Sequence, residues 1–197
     1  IHDSIQFKTQ RAIWNRDIDM VQCDGGFLFT QPDGFIKASS GVYQKKNNFA
    51  SATGNVVAAD SQNTYAFFGE HLTYDRKEGI LTMPDKPILH QYEVKGDSID
   101  TLSIKAKKIV YHQKNEFASA FRDVKIQQEK MLVTCDTAYF DKKNNWMSLS
   151  GNPICQLENE TIQGDSIYLV LEPNGKRLKS ALVIRNAHGV QVQKAKG

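Results

Sequence analysis

The chain has 197 residues, 40% of them hydrophobic, and its 25 Lys and Arg against 22 Asp and Glu leave a formal charge of +3. That length carries one substantial core or one extended array and compels no second domain. The charge balance, with no Lys/Arg-rich block and no aromatic-glycine signature, excludes a typical nucleic-acid binder.

No apolar run approaches the roughly 18 residues of a membrane-spanning helix, and the opening IHDSIQFKTQ is not a signal peptide. The chain is therefore expected to be cytosolic or to have lost a leader. Cys23, Cys135 and Cys155 form no CxxC pair and lie in apolar stretches. They read as buried, unreactive thiols, with a Cys135 to Cys155 disulfide as the alternative.

Residues 5–21 fit either a short helix or an extended lead-in, and 1–26 is set apart as an N-terminal lead-in to a single repeat domain over 27–197. From Phe27 onward short β-rich runs alternate with polar loops: TQPDG (30–34), QKKNN (44–48), DSQNT (60–64), DRKEG (75–79), HQKNE (112–116), DKKNN (141–145) and PNGK (173–176). Strands are expected over 35–43, 65–74, 104–111, 131–140 and 161–171. Alternation along 131–140 puts Met131, Val133, Cys135 and Tyr139 on one face and Leu132, Thr134, Asp136, Ala138 and Phe140 on the other.

Four stretches repeat one 14-residue pattern: YQKKNNFASATGNV from Tyr43, YDRKEGILTMPDKP from Tyr74, YHQKNEFASAFRDV from Tyr111 and FDKKNNWMSLSGNP from Phe140. Each has an aromatic anchor, a polar turn and, six residues on, Phe49, Ile80, Phe117 or Trp146, the form of a hairpin. The anchors lie 31, 37 and 29 residues apart, and a fainter copy ends at Leu169. Such periods indicate stacked units that bury a core only together. Gly54-Asn55, Asp85-Lys86, Arg122-Asp123 and Gly151-Asn152 recur at one place in the repeat and predict a bulge or bend there. The expected fold is all-β, a repetitive antiparallel β-jelly roll of two facing sheets with open ends.

The lead-in phrases ASSGVY, GEHLTY, AKKIVY, CDTAYF and GDSIYL, each followed by a charged turn, an apolar residue and a GNV- or GNP-like bend, resemble the OstA-like (organic solvent tolerance), LptA-like lipopolysaccharide-transport family over about residues 35–190. The longest interval, 37 residues from Tyr74 to Tyr111 and containing KPILHQYEVKGDSIDTLS, and the segment before Phe27 depart from that pattern. The resemblance implies a periplasmic, non-enzymatic carrier or bridge component that shields lipopolysaccharide acyl chains on the way to the outer membrane. Its implied partners are lipopolysaccharide or a related lipid and other jelly-roll transport components joined by edge-strand addition. A head-to-tail homo-oligomer and a secretion signal before Ile1 are implied as well.

Candidates for a lipid groove are the larger apolar side chains near the bends. They are Phe68, Leu72, Ile80, Ile88, Ile109, Phe117 and Phe121, then Ile126, Val133, Tyr139, Trp146, Leu149, Ile154 and Ile167. A chain of a dozen carbons buried there offers on the order of 10 kcal/mol gross at ~0.8 kcal/mol per methylene. Lys45, Lys46, Arg76, Lys77, Lys114, Lys142 and Lys143, with Lys176 and Arg177, outnumber Asp75, Glu78, Glu116 and Asp141 in the repeat turns. In-register hairpins would gather them on one rim able to meet headgroup phosphates.

No catalytic residue, cofactor or metal is expected. Asp97, Asp136 and Asp165 recur at related repeat positions, which speaks for turn chemistry rather than an active site, and Asp17, Asp19 and Asp100 add no second motif. His2, His71, His90, His112 and His188 have no metal-ligand spacing. Two rivals remain: a scaffold that recruits a partner through its end strands, and a carbohydrate-binding or carbohydrate-active module using Trp14, Tyr43 and Trp146.

Overall fold

The fold is a computed structural model that describes residues 5–171 and 178–191. Its strands are β1 (Gln6–Asn15), β2 (Met20–Gln31), β3 (Gly34–Gln44), β4 (Phe49–Asp60), β5 (Tyr65–Asp75), β6 (Ile80–Pro84), β7 (Ile88–Lys95), β8 (Ser98–Lys105) and β9 (Lys108–His112). There follow β10 (Phe117–Gln128), β11 (Met131–Asp141), β12 (Trp146–Ser150), β13 (Ile154–Leu157), β14 (Glu160–Gln163), β15 (Ser166–Leu171), β16 (Leu178–Ile184) and β17 (His188–Gln191). One 3-10 turn, Gln113–Asn115, is the sole helical element among the described residues. None of these elements is a helix long and apolar enough to cross a membrane.

All pairings are antiparallel, and together they make one meander bent along its middle. The bend is a line of left-handed backbone pairs: Gly25-Gly26, Gly54-Asn55, Asp85-Lys86, Arg122-Asp123, Gly151-Asn152 and Arg185-Asn186 all have positive φ. The four pairs expected from the repeat are in place, and the pairs at 25–26 and 185–186 carry the line towards both ends. Where the strand is continuous, each pair opposes one fewer residue on its neighbour, as in the register shifts between Thr53 and Val56 and between Phe121 and Val124. Extra residues on one side only force a kink.

Two walls result. The first ends in the turns at 16–19, 45–48, 76–79, 113–116 and 142–145; the second ends in those at 32–33, 61–64, 96–97, 129–130 and 158–159. The first wall's turns interlock, each opening residue donating its N–H to the carbonyl of the left-handed residue that closes the previous turn. Lys45 thus bonds Asp19 (2.9 Å), Arg76 bonds Asn48 (2.9 Å), Gln113 bonds Gly79 (2.8 Å) and Lys142 bonds Glu116 (3.1 Å).

Several strand expectations change in detail. The strand expected over 104–111 is broken at Ala106 and Lys107, and that over 161–171 at Gly164 and Asp165, because both cross the bend. Residues 6–15 form strand rather than helix, and β2 runs without a break through residue 26. The face shared by Val133 and Tyr139 in simple alternation also fails. Val124 pairs with Cys135 but Phe121 with Thr137, so Asp136 alone faces two bulged residues and the inward parity of β11 flips there. Strands that carry the extra residues keep their parity, with Ala120 and Val124 both buried; their partners lose it.

Gly151 shows why the bend restricts sequence: its φ is +78°, and a Cβ there would lie 2.4 Å from Cβ of Asp136. Gly151→Ala is expected to cost at least ~2 kcal/mol in urea denaturation. Lys86→Gly, which relieves a left-handed lysine, should shift stability by no more than ~1 kcal/mol and in the favourable direction.

Candidate functional site: the interior and its seam

Two unbroken rows of inward side chains cross the array, one on each wall. On the first wall the register runs Trp14, Val21, Tyr43, Ala50, Tyr74, Leu81, Tyr111, Ala118, Phe140, Met147, Leu169, Ala181. On the second it runs Phe7, Phe29, Ile36, Ala58, Phe67, Leu89, Ile104, Ile126, Val133, Cys155, Ile162, Gly189. Every position is apolar or tyrosine. Ala50 sits between Tyr43 and Tyr74, and Ala118 between Tyr111 and Phe140, so small residues make room for the anchor aromatics. The rings cluster: Phe7 lies 5.2 Å from Tyr43 and 5.4 Å from Phe29, and Tyr111 lies 5.5 Å from Phe67.

Opposite the bend the free edges of the walls meet in a polar seam. Tyr74 Oη donates to Gln113 Oε1 (2.8 Å) and accepts from Gln31 Nε2 (3.2 Å), while Gln113 Nε2 donates to Asp33 Oδ2 (2.5 Å). Lys142 Nζ lies 4.8 Å from the centre of the Tyr65 ring, a second tie between the walls. Beneath them a cavity of about 90 Å³ is lined by Phe29, Ile36, Phe67, Leu81 and Tyr111 among others. The pocket is partly open to solvent.

Of the groove candidates, Leu72, Ile109, Ile126, Val133, Leu149 and Ile167 are inside and at most 1% exposed. Phe68, Ile80, Phe117, Phe121, Tyr139 and Trp146, with Ile88 and Ile154, stand on the outer faces. The hairpin register explains three of them: Gln44 pairs with Phe49 and Tyr43 with Ala50, so the sixth residue after an anchor shares the face opposite to it. Ile80, Phe117 and Trp146 occupy that place, and Phe121 has the parity of Phe117. Phe68 and Tyr139 are turned out by the parity flip at the bend. Ile88 and Ile154 fall in an outer row running Lys37, Val57, Phe68, Ile88, Lys105, Lys125, Thr134, Ile154. The inward residues that pattern reading missed are Phe27, Phe29, Phe67 and Met83; Leu28 and Phe68 beside them are apolar too, so alternation there marks no single face.

The rim cations sit on the interlocked turns of the first wall. Lys45, Lys46, Lys77, Lys114 and Lys143 are exposed, whereas Arg76 and Lys142 are half-buried. Lys142 also approaches Glu116 (3.7 Å), and Lys114 Nζ donates to the carbonyl of Lys77. Lys176 and Arg177 lie outside the described residues.

Of the repeated carboxylates Asp136 and Asp165 lie at the bend, in company with Asp24, Asp85 and Asp123, whereas Asp97 lies in the turn between β7 and β8. Asp24 pairs with Arg11 (3.0 Å), Asp85 with His71 (3.0 Å) and Asp123 with Lys107 (2.7 Å), while Asp165 accepts from Asn186 (2.9 Å). They steady left-handed pairs once per repeat. No group of three or more His, Cys, Asp or Glu residues among the described residues has a metal-binding arrangement. Nor do the sugar-stacking candidates converge: Tyr43 is interior, Trp146 is on the outer face, and Trp14 is on the end strand with Arg16 5.2 Å from its ring centre.

The three cysteines are buried free thiols, without the Cys135 to Cys155 bond. Burial pushes Cys135 up to about 12 and raises Cys23 and Cys155. Burial likewise pushes Tyr111 up to about 12 and raises Tyr43, Tyr65 and Tyr74.

No protein-family model and no curated protein sequence matches the chain. Among solved structures it is similar to LptH, the LptA-homologous periplasmic component of the lipopolysaccharide transport device of Pseudomonas aeruginosa. The identity is 11% over 98% of this chain and 96% of that one, with a TM-score of 0.33. A likeness at that level fixes neither ligand nor partner.

The buried hydroxyls and thiols predict alkaline sensitivity. Each is neutral in folded and unfolded chains below its ordinary value, 9.0 for cysteine and 10.0 for tyrosine, so their contribution is complete there. Above it the unfolded chain ionises first and stability falls until the folded group also ionises, near 12 for Cys135 and Tyr111. The melting temperature should hold below pH 9 and then decline steadily, with no matching decline for a Cys135→Ala, Tyr111→Phe variant over the share those two groups contribute.

Proposed function

We propose that the chain is a non-enzymatic periplasmic carrier or bridge component that shields the acyl chains of lipopolysaccharide or a related lipid, as the sequence resemblance implies. The observation that carries this reading is the pair of unbroken apolar rows running between open ends. β1 pairs only with β2, β16 only with β15, and β17 only with β14 among the described residues. An apolar track of this kind needs no reacting group to shelter a hydrocarbon chain. Unpaired end strands offer edges on which other jelly-roll components, or further copies, can add head to tail.

Photo-crosslinking residues placed at Tyr111, Phe140 and Leu169 test the carrier reading, with Trp146 and Lys45 as outer controls. Adducts with lipopolysaccharide at the three interior sites and none at the controls are expected. The small cavity favours a second reading, a packed scaffold that works through its end strands. Failure at every interior site, in protein whose circular dichroism shows it folded, selects the scaffold.

The exposed rim is proposed to meet headgroup phosphates. Reversing Lys45, Lys46, Lys77 and Lys143 to Glu should weaken lipopolysaccharide binding about tenfold at low salt, four exposed contacts of ~0.2–1 kcal/mol each. Binding of a dephosphorylated lipid should be unchanged; equal weakening of both lipids would show that the rim does not read phosphate.

A further inference from the structure

Six cations gather at the middle of the bend. Lys86 stands at the β6–β7 junction, Lys105, Lys107 and Lys108 at the β8–β9 junction, and Arg122 and Lys125 in the middle of β10, all of them exposed. Backbone bonds set these crossings side by side: the Lys86 N–H donates to the Lys107 carbonyl (3.2 Å), and the Lys107 N–H to the Arg122 carbonyl (3.0 Å). At ~4.8 Å between strands, the cations share a surface about 10 Å across. The carboxylates within it are Asp85, held by His71 (3.0 Å), Asp123, held by Lys107 (2.7 Å), and Asp136 on the next strand. Glu70, on the preceding strand, accepts from the Asn55 N–H (3.4 Å).

Two features of this patch cost the fold stability. Lys105 and Lys125 are direct cross-strand partners on the outer face, and their other partners in that row are Ile88 and Thr134. Two like charges thus stand opposed with no carboxylate beside them in the row, an arrangement that destabilises a sheet. Lys86 and Arg122 are left-handed, each with a φ of +61°. The bend puts Gly25, Gly54 and Gly151 at the place of Arg122, and Asn55, Asn152 and Asn186 at the place of Lys86, residues that adopt this conformation more readily. Turn chemistry therefore does not account for these cations. Charge kept at strained and mutually repelling positions points to an anion outside the chain.

Shape narrows what that anion is. The bend is the convex side of the molecule, opposite the seam and its pocket, so its side chains splay outward. Splayed cations on a convex surface do not enclose a small anion, whereas an extended anionic surface touches them together. Ile88 and Phe121, half-buried beside Lys105 and Lys108 in the same outer rows, add apolar area at the depth of lipid headgroups.

We propose that the middle of the bend docks on an anionic phospholipid bilayer, with its cations on the lipid phosphates. A cluster of this size is what such a surface attracts, each cation contributing roughly fivefold in affinity. The proposal does not rest on the interior holding lipid.

The test is co-sedimentation of the whole chain with vesicles of phosphatidylcholine, alone or mixed with phosphatidylglycerol, at low and high salt. Wild-type protein should bind the mixed vesicles, be released at high salt and leave pure phosphatidylcholine unbound. Lys105→Gln with Lys125→Gln should weaken binding at least about tenfold, at roughly fivefold per cation lost. Lys86→Gly with Arg122→Gly should weaken it as much while the melting temperature holds or rises, because each glycine relieves a left-handed residue. A purely structural role would not separate those two readouts. Lys45→Gln with Lys46→Gln removes the same charge from a turn of the first wall and should cost no more than about twofold. Wild-type protein that ignores the mixed vesicles, even if it binds soluble heparin, would overturn the proposal. So would bend variants that bind like wild type, or an equal loss in the Lys45 and Lys46 variant.

Discussion

The line of left-handed pairs is the constraint on which the rest of this structure depends. Without it the meander would be a single twisted sheet with one face in water, and the inward rows would have nothing opposite them. A non-glycine residue in that conformation is disfavoured by ~1–2 kcal/mol. Asp85-Lys86, Arg122-Asp123 and Arg185-Asn186, the third, fourth and sixth pairs, accept this at both of their positions. Ion pairs such as that of Asp123 with Lys107 help to hold them, and the apolar burial gained by folding the walls together is the larger compensation.

Much of the architecture was legible because turn chemistry is local. The loops at 45–48, 76–79 and 142–145 and the four bend pairs announce themselves through Asn, Gly and charged residues, and each is where the repeat puts it. What sequence alone could not give was which way the side chains face. That depends on a pairing register one residue deep and on a bulge whose effect falls on the neighbouring strand. Hence Leu72 and Ile109 lie inside while Phe117, Tyr139 and Trp146 stand outside. The resemblance pointed to a lipid track, but the rows that would form it run through Tyr43, Tyr74, Tyr111 and Phe140, the anchors themselves.

The walls are joined differently along their two sides. Gln31, Tyr74, Gln113 and Asp33 join the walls by hydrogen bonds that water can replace, whereas the bend is made of backbone. Such polar contacts contribute roughly 1 kcal/mol each. The seam is therefore the weaker of the two junctions between the walls, and the pocket lies beneath it.

The bend has a further consequence for how such a chain can change over evolutionary time. Because facing is reset at each left-handed pair, an insertion in one wall does not scramble the side chains of the other. The long interval between Tyr74 and Tyr111 illustrates this: its extra residues emerge at the turn of the second wall, while Leu81, Met83 and Ile109 of the first wall keep their inward places. The added length of this interval thus emerges at a hairpin tip and leaves the inward rows in register.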